Sequence, residues 1–475
     1  MNRRRFVTQC ATGFAAALTQ QTWASPSGWN RVRLRLAPGR TGPEIPRNFM
    51  GLGYEISSVG KQGLLAETNH ALVQFVRGLS REGVIRIGGN TSDFAVWSPQ
   101  GESVSAPKAT VINPTVVKDL GRFLRATGWK LIWGLNLGTG TPESAAEEAA
   151  AVASSAGGAL LAFQIGNEPD LFARNGHRPA NYDYQDYYKE YQRYVEVVRQ
   201  RVPEAPMAGP DVATRTDWVP SFARHAGSDP KLLTHHYYSE GPPQNPASTL
   251  ENLLKPGEHF EKILEQMRAV SQSVKVPYRI VEINSCFGGG KSGVSDTFAS
   301  AVWGLDLMFD LAAAGGAGLN METGVNQLGW ISKYTPIDND DQGNYVARPL
   351  YYGMLAFALA SRGQLIGVDS DAAGINLKAY AVRGEHVRHW VTVVNKDMSQ
   401  GAEVTLESSP RFASAHIIRL TAPSMESTNQ VRLGGSEVSN EGQWWPKDRE
   451  TLHSDGHVCV FQVPAVSAAI IELIP

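Results

Sequence analysis

The feature that most constrains this fold is the alternation of short apolar runs with helical patterns over residues 49–350. Each run is almost continuously apolar, as expected of a strand that is buried on both faces of a sheet. The runs are FMGLGYEIS, GVIRIGG, KLIWGLN, LLAFQIGNE, MAGPD, KLLTHHYY, YRIVEINS and AGLNME. Helical segments such as NPTVVKDLGRFLRA separate most of them. Eight strands with intervening helices predict an α/β fold, a (β/α)8 barrel over residues 46–348.

An open, doubly wound sheet is the alternative arrangement of the same elements. That fold carries a glycine-rich GxGxxG phosphate loop after its first strand, and the first run here is followed by no such loop. The sequence therefore favours the barrel.

The pattern changes after residue 350, where alternating apolar and polar runs are separated by Gly, Asp and Ser turns. This is typical of antiparallel strands with one buried face, and it predicts a β-sandwich domain over residues 349–475. The early segment RVRLRLA also alternates, with Val32, Leu34 and Leu36 on one face. Because such a face needs a sheet to cover it, we predict that residues 25–45 join the C-terminal sheet as an extra strand.

The first 24 residues have the three parts of an export signal. Arginines come first, an apolar stretch covers residues 6–18, and small residues surround Ala24. The segment NRRRFV resembles a twin-arginine signal, which predicts a bacterial protein that is periplasmic or secreted. An amphipathic first helix is the alternative interpretation.

Composition excludes several classes of function. The formal net charge of the 475 residues is -2, which provides no basic field for nucleic acid. No apolar run reaches the length of a membrane span. Beyond the predicted signal only Cys286 and Cys459 remain, and no zinc-ligand spacing occurs, so we expect no bound metal. The oligomeric state stays open.

Polar residues stand where the predicted barrel strands end, which is where barrels of this kind carry their active groups. In chain order they are Glu55, Asn90, Asn136, Asn167, Glu168, Asp211, His236, Tyr238, Glu282 and Glu322. Any one of them could be structural, for example a capping Asn or a hydrogen-bonded core His. Together they predict one polar rim with few basic groups to neutralise it.

Two carboxylates in this rim stand out. Glu168 ends strand four in FQIGNEPD, and Glu282 lies in RIVEINS on strand seven. Burying a lone carboxylate is costly, so each should have a partner. Paired carboxylates across a rim are the minimum equipment for cleaving a glycosidic bond. The pair therefore predicts glycosidase chemistry.

At this point the sequence resembles a known group of enzymes. IGNEPD with a second glutamate on strand seven is similar to the large clan A of retaining glycosidases. The segments GLGYEIS, IRIGGNTSDFAVW, HHYYSEGPP and EINSCFGGGKSGVSDTFASA look like glycoside hydrolase family 79, which contains heparanases and bacterial β-glucuronidases. The resemblance covers most of the chain. It implies an exo-acting, retaining β-glucuronidase that uses a glycosyl-enzyme intermediate, needs no cofactor and binds a carbohydrate.

The resemblance also implies roles for individual residues. Glu168 would be the general acid/base and Glu282 the nucleophile. Asn167 would bond the 2-hydroxyl of the sugar, Tyr238 would lie beside the nucleophile, and Glu55 would accept a hydrogen bond from a ring hydroxyl such as O4.

The resemblance further implies a site for a uronic carboxylate. The backbone N–H groups of Gly288 and Gly289, with the Tyr334 hydroxyl, would hold it, because an ionised carboxylate accepts strong hydrogen bonds. From the residues alone, CFGGGKSG would be a plain flexible loop.

Two positions depart from the family pattern. Phe287 stands where relatives have tyrosine, and Glu322 stands where similar bacterial enzymes have histidine. With Asn90 and His236, they complete the predicted substrate-binding set. A lost hydroxyl and an added carboxylate leave two alternatives open: the same machinery acting on a neutral or esterified β-linked sugar, and a carbohydrate-binding protein without catalysis.

Overall fold

The structure of the chain, a computed structural model, describes residues 29–102, 108–324, 331–339, 344–372 and 374–475. The predicted export signal, residues 1–24, lies outside these ranges. So do the first residues of the predicted N-terminal strand, 25–28.

Eight parallel strands form a closed barrel. Counted from one to eight along the chain, the barrel strands are Gly51–Glu55, Val84–Gly88, Lys130–Leu135, Leu160–Ile165, Met207–Val212, Leu232–Glu240, Tyr278–Cys286 and Leu319–Glu322. Strand eight closes on strand one, with Met321 opposite Leu52 and Glu322 opposite Gly53. This closure confirms the predicted barrel and excludes the open, doubly wound sheet.

Helices alternate with the barrel strands. They are Ile56–Val59, His70–Leu79, Pro114–Thr127, Pro142–Ala156, Phe172–Asn175, Tyr184–Arg201, Trp218–Ala226, Leu250–Leu254, Glu258–Val274, Phe298–Ala313 and Pro349–Ala360. Side-chain caps fix several starts: Asn113 accepts from two N–H groups of the first turn, and Asp183 forms a capping box with Asp186. In the described ranges no helix has both the length and the apolarity needed to cross a membrane.

Short elements shape the connections at the barrel. The 3-10 turns are Asn90–Phe94, Gly157–Ala159, Pro169–Leu171 and Glu385–Val387. Two pairs of short strands are Ala95–Trp97 with Thr110–Ile112, which run parallel, and Ile337–Asn339 with Tyr345–Ala347, which run antiparallel. The first and third of the 3-10 turns directly follow barrel strands two and four, so they set the positions of Asn90 and Glu168.

The second unit is a ten-stranded sheet around its own apolar core. Its strands are Asn30–Glu44, Gln364–Ser370, Leu377–Arg383, His389–Asn395, Ala402–Glu407, Ser414–Thr421, Arg432–Leu433, Glu450–Leu452, Val458–Val463 and Ser467–Ile474. Val32, Leu34 and Leu36 point into this core, while the arginines between them are exposed.

The N-terminal strand lies inside this sheet rather than at its edge. It pairs antiparallel with Gln364–Ser370 and parallel with Ala402–Glu407. The predicted antiparallel sandwich is therefore not antiparallel throughout. The chain thus enters the sheet first, builds the barrel, and returns to complete the sheet.

The helix Pro349–Ala360, which the sequence placed in the second domain, packs on the barrel helix Phe298–Ala313. Gly353 lies so close to the carbonyl of Ala301 that a side chain at this position would collide with it. The sheet domain consequently starts after Ala360 and not at residue 349. An almost entirely apolar helix is buried all round, so its sequence does not show whether it packs on the barrel or on the sheet.

Candidate active site

Glu168, His236 and Glu282 meet at the carboxyl ends of barrel strands four, six and seven. One oxygen of each glutamate and one ring nitrogen of His236 all lie within 4.8 Å of one another. All three side chains are buried. The structure thus brings together the two carboxylates that the sequence singles out, with a histidine between them.

The backbone at the ends of strands four and five is strained. Glu168 has φ 52° and ψ 52°, and Asp211 has φ 62°, values in the left-handed region that non-glycine residues seldom adopt. The Glu168 N–H donates to the Asp211 carbonyl at 3.0 Å, which locks the two strand ends together. Such strain persists only where the surroundings enforce it, and it is concentrated at functional sites.

Arg86, which the sequence analysis did not select, lies at the centre of this group. It is only 1% exposed and comes from the middle of barrel strand two. Its guanidinium donates to Glu282 Oε2 at 2.6 Å, to Asn167 Oδ1 at 2.8 Å and to Asp211 Oδ2 at 2.9 Å. The predicted rim with few basic groups thus contains one central arginine that the sequence did not single out.

A signal for Arg86 was present in the sequence. In GVIRIGG an arginine interrupts an otherwise apolar strand that is buried on both faces. A buried arginine needs acidic partners, since its charge is costly to remove from water. The strand-end carboxylates were the available partners.

His236 links Glu168 to Asp211. Its Nδ1 lies 3.0 Å from Glu168 Oε1, and its Nε2 lies 2.8 Å from Asp211 Oδ1. Burial opposes a charge on this ring, but Asp211 and Glu282 outweigh it and raise the pKa of His236 well above its usual value. Burial likewise opposes ionisation of Asp211, but His236 and Arg86 outweigh it and lower the pKa of Asp211. Asp211 is thus an ionised anchor for both cations.

The nucleophile candidate Glu282 is held by both oxygens. Arg86 bonds Oε2, and the Tyr238 hydroxyl donates to Oε1 at 2.9 Å. Asn167 is also fixed, because its Oδ1 accepts from Arg86 while its Nδ2 lies 3.5 Å from Asn90 Oδ1. The orientation of the Asn167 amide is therefore set by the same arginine that holds Glu282.

One strand-end residue and one residue of the 3-10 turn Asn90–Phe94 serve the loops. Asn136 bonds the backbone of Ala95, Thr139 and Gly140, so it is structural and lies outside the candidate site. Asp93, which the sequence did not single out, accepts from the Asn167 N–H at 3.2 Å. Burial raises the pKa of Asp93 to about 7, against the effect of its three backbone N–H donors.

Glu55 ends strand one and caps the turn that follows strand two. It accepts from the N–H groups of Asn90 and Thr91, at 3.2 and 2.8 Å, and from the Thr91 hydroxyl at 2.6 Å. Burial, with Glu282 adding to it, raises the pKa of Glu55 to about 7 despite these donors.

The glycine loop after strand seven lies against the segment that carries Tyr334. The Lys333 N–H donates to the Gly289 carbonyl at 2.6 Å, and the rings of Tyr238 and Tyr334 have centroids 6.1 Å apart. Gly288 and Gly289 have φ values of 74° and 90°, which only glycine adopts readily. In the described part of the chain, neither of their N–H groups donates to another backbone carbonyl outside regular helices and strands.

Comparison with known proteins identifies one matching family domain and two similar proteins. Residues 363–470 match the glycosyl hydrolase family 79 C-terminal beta domain. A β-glucuronidase of Aspergillus niger is 28% identical over 351 residues, which are 66% of this chain and 63% of that protein. A β-glucuronidase of Neurospora crassa is 25% identical over 320 residues, 58% of this chain and 55% of that protein. The chain thus spans less than two thirds of the length of these relatives.

The C-terminal region thus matches a domain of glycoside hydrolase family 79, and the chain is similar to two fungal β-glucuronidases. A 4-O-α-L-rhamnosyl-β-D-glucuronidase from Fusarium oxysporum superposes with a TM-score of 0.76 at 18% identity, covering 93% of this chain and 100% of the other. A GH51 arabinofuranosidase from Xanthomonas axonopodis pv. citri gives a TM-score of 0.67 at 16% identity, covering 93% and 99%. At such identities these two likenesses concern the fold alone.

The two departures from the family 79 pattern have different surroundings. Phe287 is 43% exposed at the mouth, with its ring edge towards Tyr238. Glu322 is 2% exposed and points into the barrel, where Oε2 lies against Gly53 of strand one. Burial, then Glu282 and Glu55, raises the pKa of Glu322 well above its usual value. Glu322 therefore faces in, where its surroundings favour the protonated form.

The cluster of Glu168, His236 and Glu282 has the ligand types and the spacing that a metal ion would need. Both nitrogens of His236, however, already face carboxylates, and Arg86 already bonds Glu282. A cation would have to displace these bonds and stand beside two positive side chains. The charge pattern fits an acid/base site better than a metal site.

Proposed function

We propose that this protein belongs to glycoside hydrolase family 79 and is an exo-acting retaining β-glucuronidase that works by double displacement. The observation that carries this proposal is the approach of Glu168 and Glu282 to within 4.8 Å, oxygen to oxygen. Retaining enzymes hold their carboxyl groups about 5–5.5 Å apart, whereas inverting enzymes need roughly 6.5–9.5 Å to admit a water between them. An approach this close falls on the retaining side of that division.

Glu168 is the proposed general acid. Burial raises the pKa of Glu168, and Glu282 adds to this effect, although His236 opposes it. His236 bonds Oε1, which leaves Oε2 to carry the proton. That proton passes to the glycosidic oxygen as its bond to C1 breaks, so the leaving group departs as a neutral alcohol.

Glu282 is the proposed nucleophile. Arg86 and Tyr238 fix its two oxygens, so one of them attacks C1 without a large change of position. The step forms an ester between Glu282 and the sugar. In the second step Glu168, now ionised, takes a proton from water, and the hydroxide attacks C1 and releases Glu282. Two inversions at C1 give net retention.

A β-glucuronide is the proposed substrate. The names of the two curated relatives support this choice. So do the backbone N–H groups of Gly288 and Gly289, which stand beside the buried Tyr334 as donors for a carboxylate. The alternative of a neutral or esterified sugar is favoured by one observation, the Glu322 carboxyl inside the barrel. A non-catalytic role is disfavoured because both carboxylates are present and positioned.

The test is hydrolysis of an aryl β-D-glucuronide, followed by proton NMR in the first minutes. We expect the β-anomer of glucuronic acid to appear first and to mutarotate later. An α-anomer as the first product would contradict double displacement. Parallel kcat/KM values for the β-glucoside and the β-xyloside would overturn the choice of substrate if either neutral sugar were clearly preferred.

We also propose that the protein is exported. Only the N-terminal sequence supports this: arginines, an apolar stretch and small residues around Ala24. Expression of the whole chain in a bacterium, followed by N-terminal sequencing of the exported fraction, tests it. Replacing the arginines of NRRRFV with lysines should retain the protein in the cytoplasm, and unchanged export would contradict a twin-arginine route.

A further inference from the structure

Glu322 is a buried carboxyl that the proposed chemistry does not use. It ends barrel strand eight, which closes the barrel between strand seven with Glu282 and strand one with Glu55. Its Oε2 occupies the space inside the barrel that Gly53 leaves open, where any side chain would collide with it. Glu322 thus lies in the floor of the site.

The surroundings of Glu322 give its charge no direct compensation. Within the described residues Oε2 has no hydrogen-bond partner, and Oε1 accepts only a long bond of 3.4 Å from the Gly324 N–H. Arg86 lies nearby, but its hydrogen bonds go to Glu282, Asn167, Asp211 and Gln164. Burial in this position disfavours the ionised form of the carboxyl, because that form would be neither paired nor hydrated.

Glu322 is also next to the segment implied in carboxylate binding. The Asn284 amide donates both to the Glu322 carbonyl, at 2.8 Å, and to the Tyr334 carbonyl, at 3.3 Å. Gly324 packs against the ring of Tyr334. A uronic carboxylate held by Tyr334 would therefore lie close to the Glu322 side chain.

We propose that Glu322 determines sugar specificity by its charge: it admits an anionic sugar only while it is uncharged. This rests on the proposed β-glucuronidase function. Below the pKa of Glu322 the floor is neutral and a glucuronide binds. As pH rises through that pKa, a second anion appears near the sugar carboxylate and repels it, whereas a neutral sugar is unaffected.

Other titratable and charged groups face Glu322 from the neighbouring strands. They are Glu282 on strand seven, Tyr54 and Glu55 on strand one, Arg86 on strand two, Tyr238 on strand six and Tyr334 after strand eight. These groups are the same for both substrates and for variants at position 322. The effect of Glu322 is isolated by comparing an anionic with a neutral sugar in the wild type and in a charge-free variant.

The experiment measures KM and kcat against pH for 4-nitrophenyl β-D-glucuronide and 4-nitrophenyl β-D-glucoside, in the wild type and in Glu322→Gln. In the wild type, the KM for the glucuronide should rise roughly 10- to 100-fold from acidic to alkaline pH, the effect of one like charge nearby. The KM for the glucoside should stay flat. Glu322→Gln, which is isosteric and cannot ionise, should flatten the glucuronide curve.

Glu148→Gln is the matched control. Glu148 is also fully buried, but it bonds the Trp133 indole on the outer layer of the barrel, away from the site. This variant should keep the wild-type pH profile. If Glu322→Gln folds poorly, Glu322→Met, which is also uncharged and of similar size, should show the same loss of pH dependence.

The outcomes separate this inference from the proposed function. If the glucuronide is hydrolysed and its KM follows the same pH curve in Glu322→Gln as in the wild type, the inference is wrong and the proposed function stands. If the glucuronide is not hydrolysed at any pH while a neutral glycoside is, the proposed substrate is wrong and the inference falls with it.

Discussion

The barrel has two regions in which buried carboxyl groups have different surroundings. On strands four to seven they bond to the side chains of Arg86 and His236. Among the described residues, those on strands eight and one do not bond to these two side chains. In the first region, the paired side, Asp211 and Glu282 both bond Arg86, and His236 bonds Asp211 and Glu168. In the second, the neutral side, Glu322 has no ion pair among the described residues, and Glu55 is bonded by the turn after strand two.

The two sides can therefore contribute differently to catalysis and to sugar specificity. A buried carboxylate that a fixed cation holds keeps its geometry, which suits a nucleophile and its anchor. Burial favours the protonated form of the carboxyl groups on the neutral side, so their charge depends on pH. The paired side is thus equipped for the reaction, and the neutral side for choosing the sugar.

The largest expected effect comes from removing the nucleophile. Glu282→Gln should lower kcat on the aryl glucuronide by more than the ~10²–10⁴-fold that general acid–base groups contribute. Glu322→Gln makes the same chemical change on the neutral side and should leave kcat at acidic pH nearly unchanged. Steady-state kinetics of the two variants check this, and equal losses would erase the distinction between the two sides.

Loss of the acid should depend on the leaving group. Glu168→Gln should lower kcat by about 10²–10⁴-fold for glucuronides of poorly acidic alcohols, which need a proton to depart. Glucuronides of nitrophenols leave without one, so their first step should be much less affected. A series of aryl leaving groups measures this, and a loss that is the same across the series would argue against the role of Glu168.

Arg86 should hold the paired side together. Arg86→Met leaves Asp211 and Glu282 buried without their shared cation, and we expect the free energy of unfolding to fall by about 3–5 kcal/mol. Arg122→Met is the control, since Arg122 pairs with Asp119 at the surface and should cost only ~0–1 kcal/mol. Denaturant unfolding compares them. Equal small losses would mean that the arginine does not organise the site.

Glu55 on the neutral side should lower the free energy of unfolding as pH rises. The pKa of Glu55 is about 7 in the folded protein against an ordinary 4.5, so the folded state keeps a proton that the unfolded chain loses. This lowers the stability by about 3 kcal/mol between pH ~4.5 and ~7. Glu55→Gln should remove that loss, whereas the exposed control Glu67→Gln should not. Denaturant unfolding of both variants at a series of pH values measures this. The same slope of unfolding free energy against pH in the two variants would contradict the prediction.

Asp211 on the paired side should show the opposite sign. Its pKa is lowered in the folded protein, so its contribution to stability is present at neutral pH and is lost as pH falls through the folded pKa. Asp211→Asn should therefore flatten the acid limb of the stability curve.

The barrel was predictable because its strands are buried on both faces, which produces apolar runs of regular spacing. Glu168 and Glu282 could be singled out because FQIGNEPD and RIVEINS place two carboxylates on strands four and seven, as in retaining glycosidases. The start of the sheet domain was not, since the helix Pro349–Ala360 is apolar all round and reveals no neighbour.

The charge balance of the site was harder to predict. Arg86 lies within a strand and not at its end, so a search of strand ends misses it. The partners of His236 depend on the register of strands four, five and six relative to one another. No local sequence pattern determines that register. The protonation of Glu322 depends on which way its side chain points, which the sequence left open.

The central claim is that Glu282 attacks the sugar while Glu168 supplies the proton. Incubation with a 2-deoxy-2-fluoro-β-D-glucuronyl fluoride, which slows both steps but keeps a good leaving group, should trap the glycosyl-enzyme intermediate. Peptide mass spectrometry should then find the fluorosugar on the peptide of strand seven, bound to Glu282. A label on another residue, or turnover with no covalent adduct and an α-product first, would contradict the account.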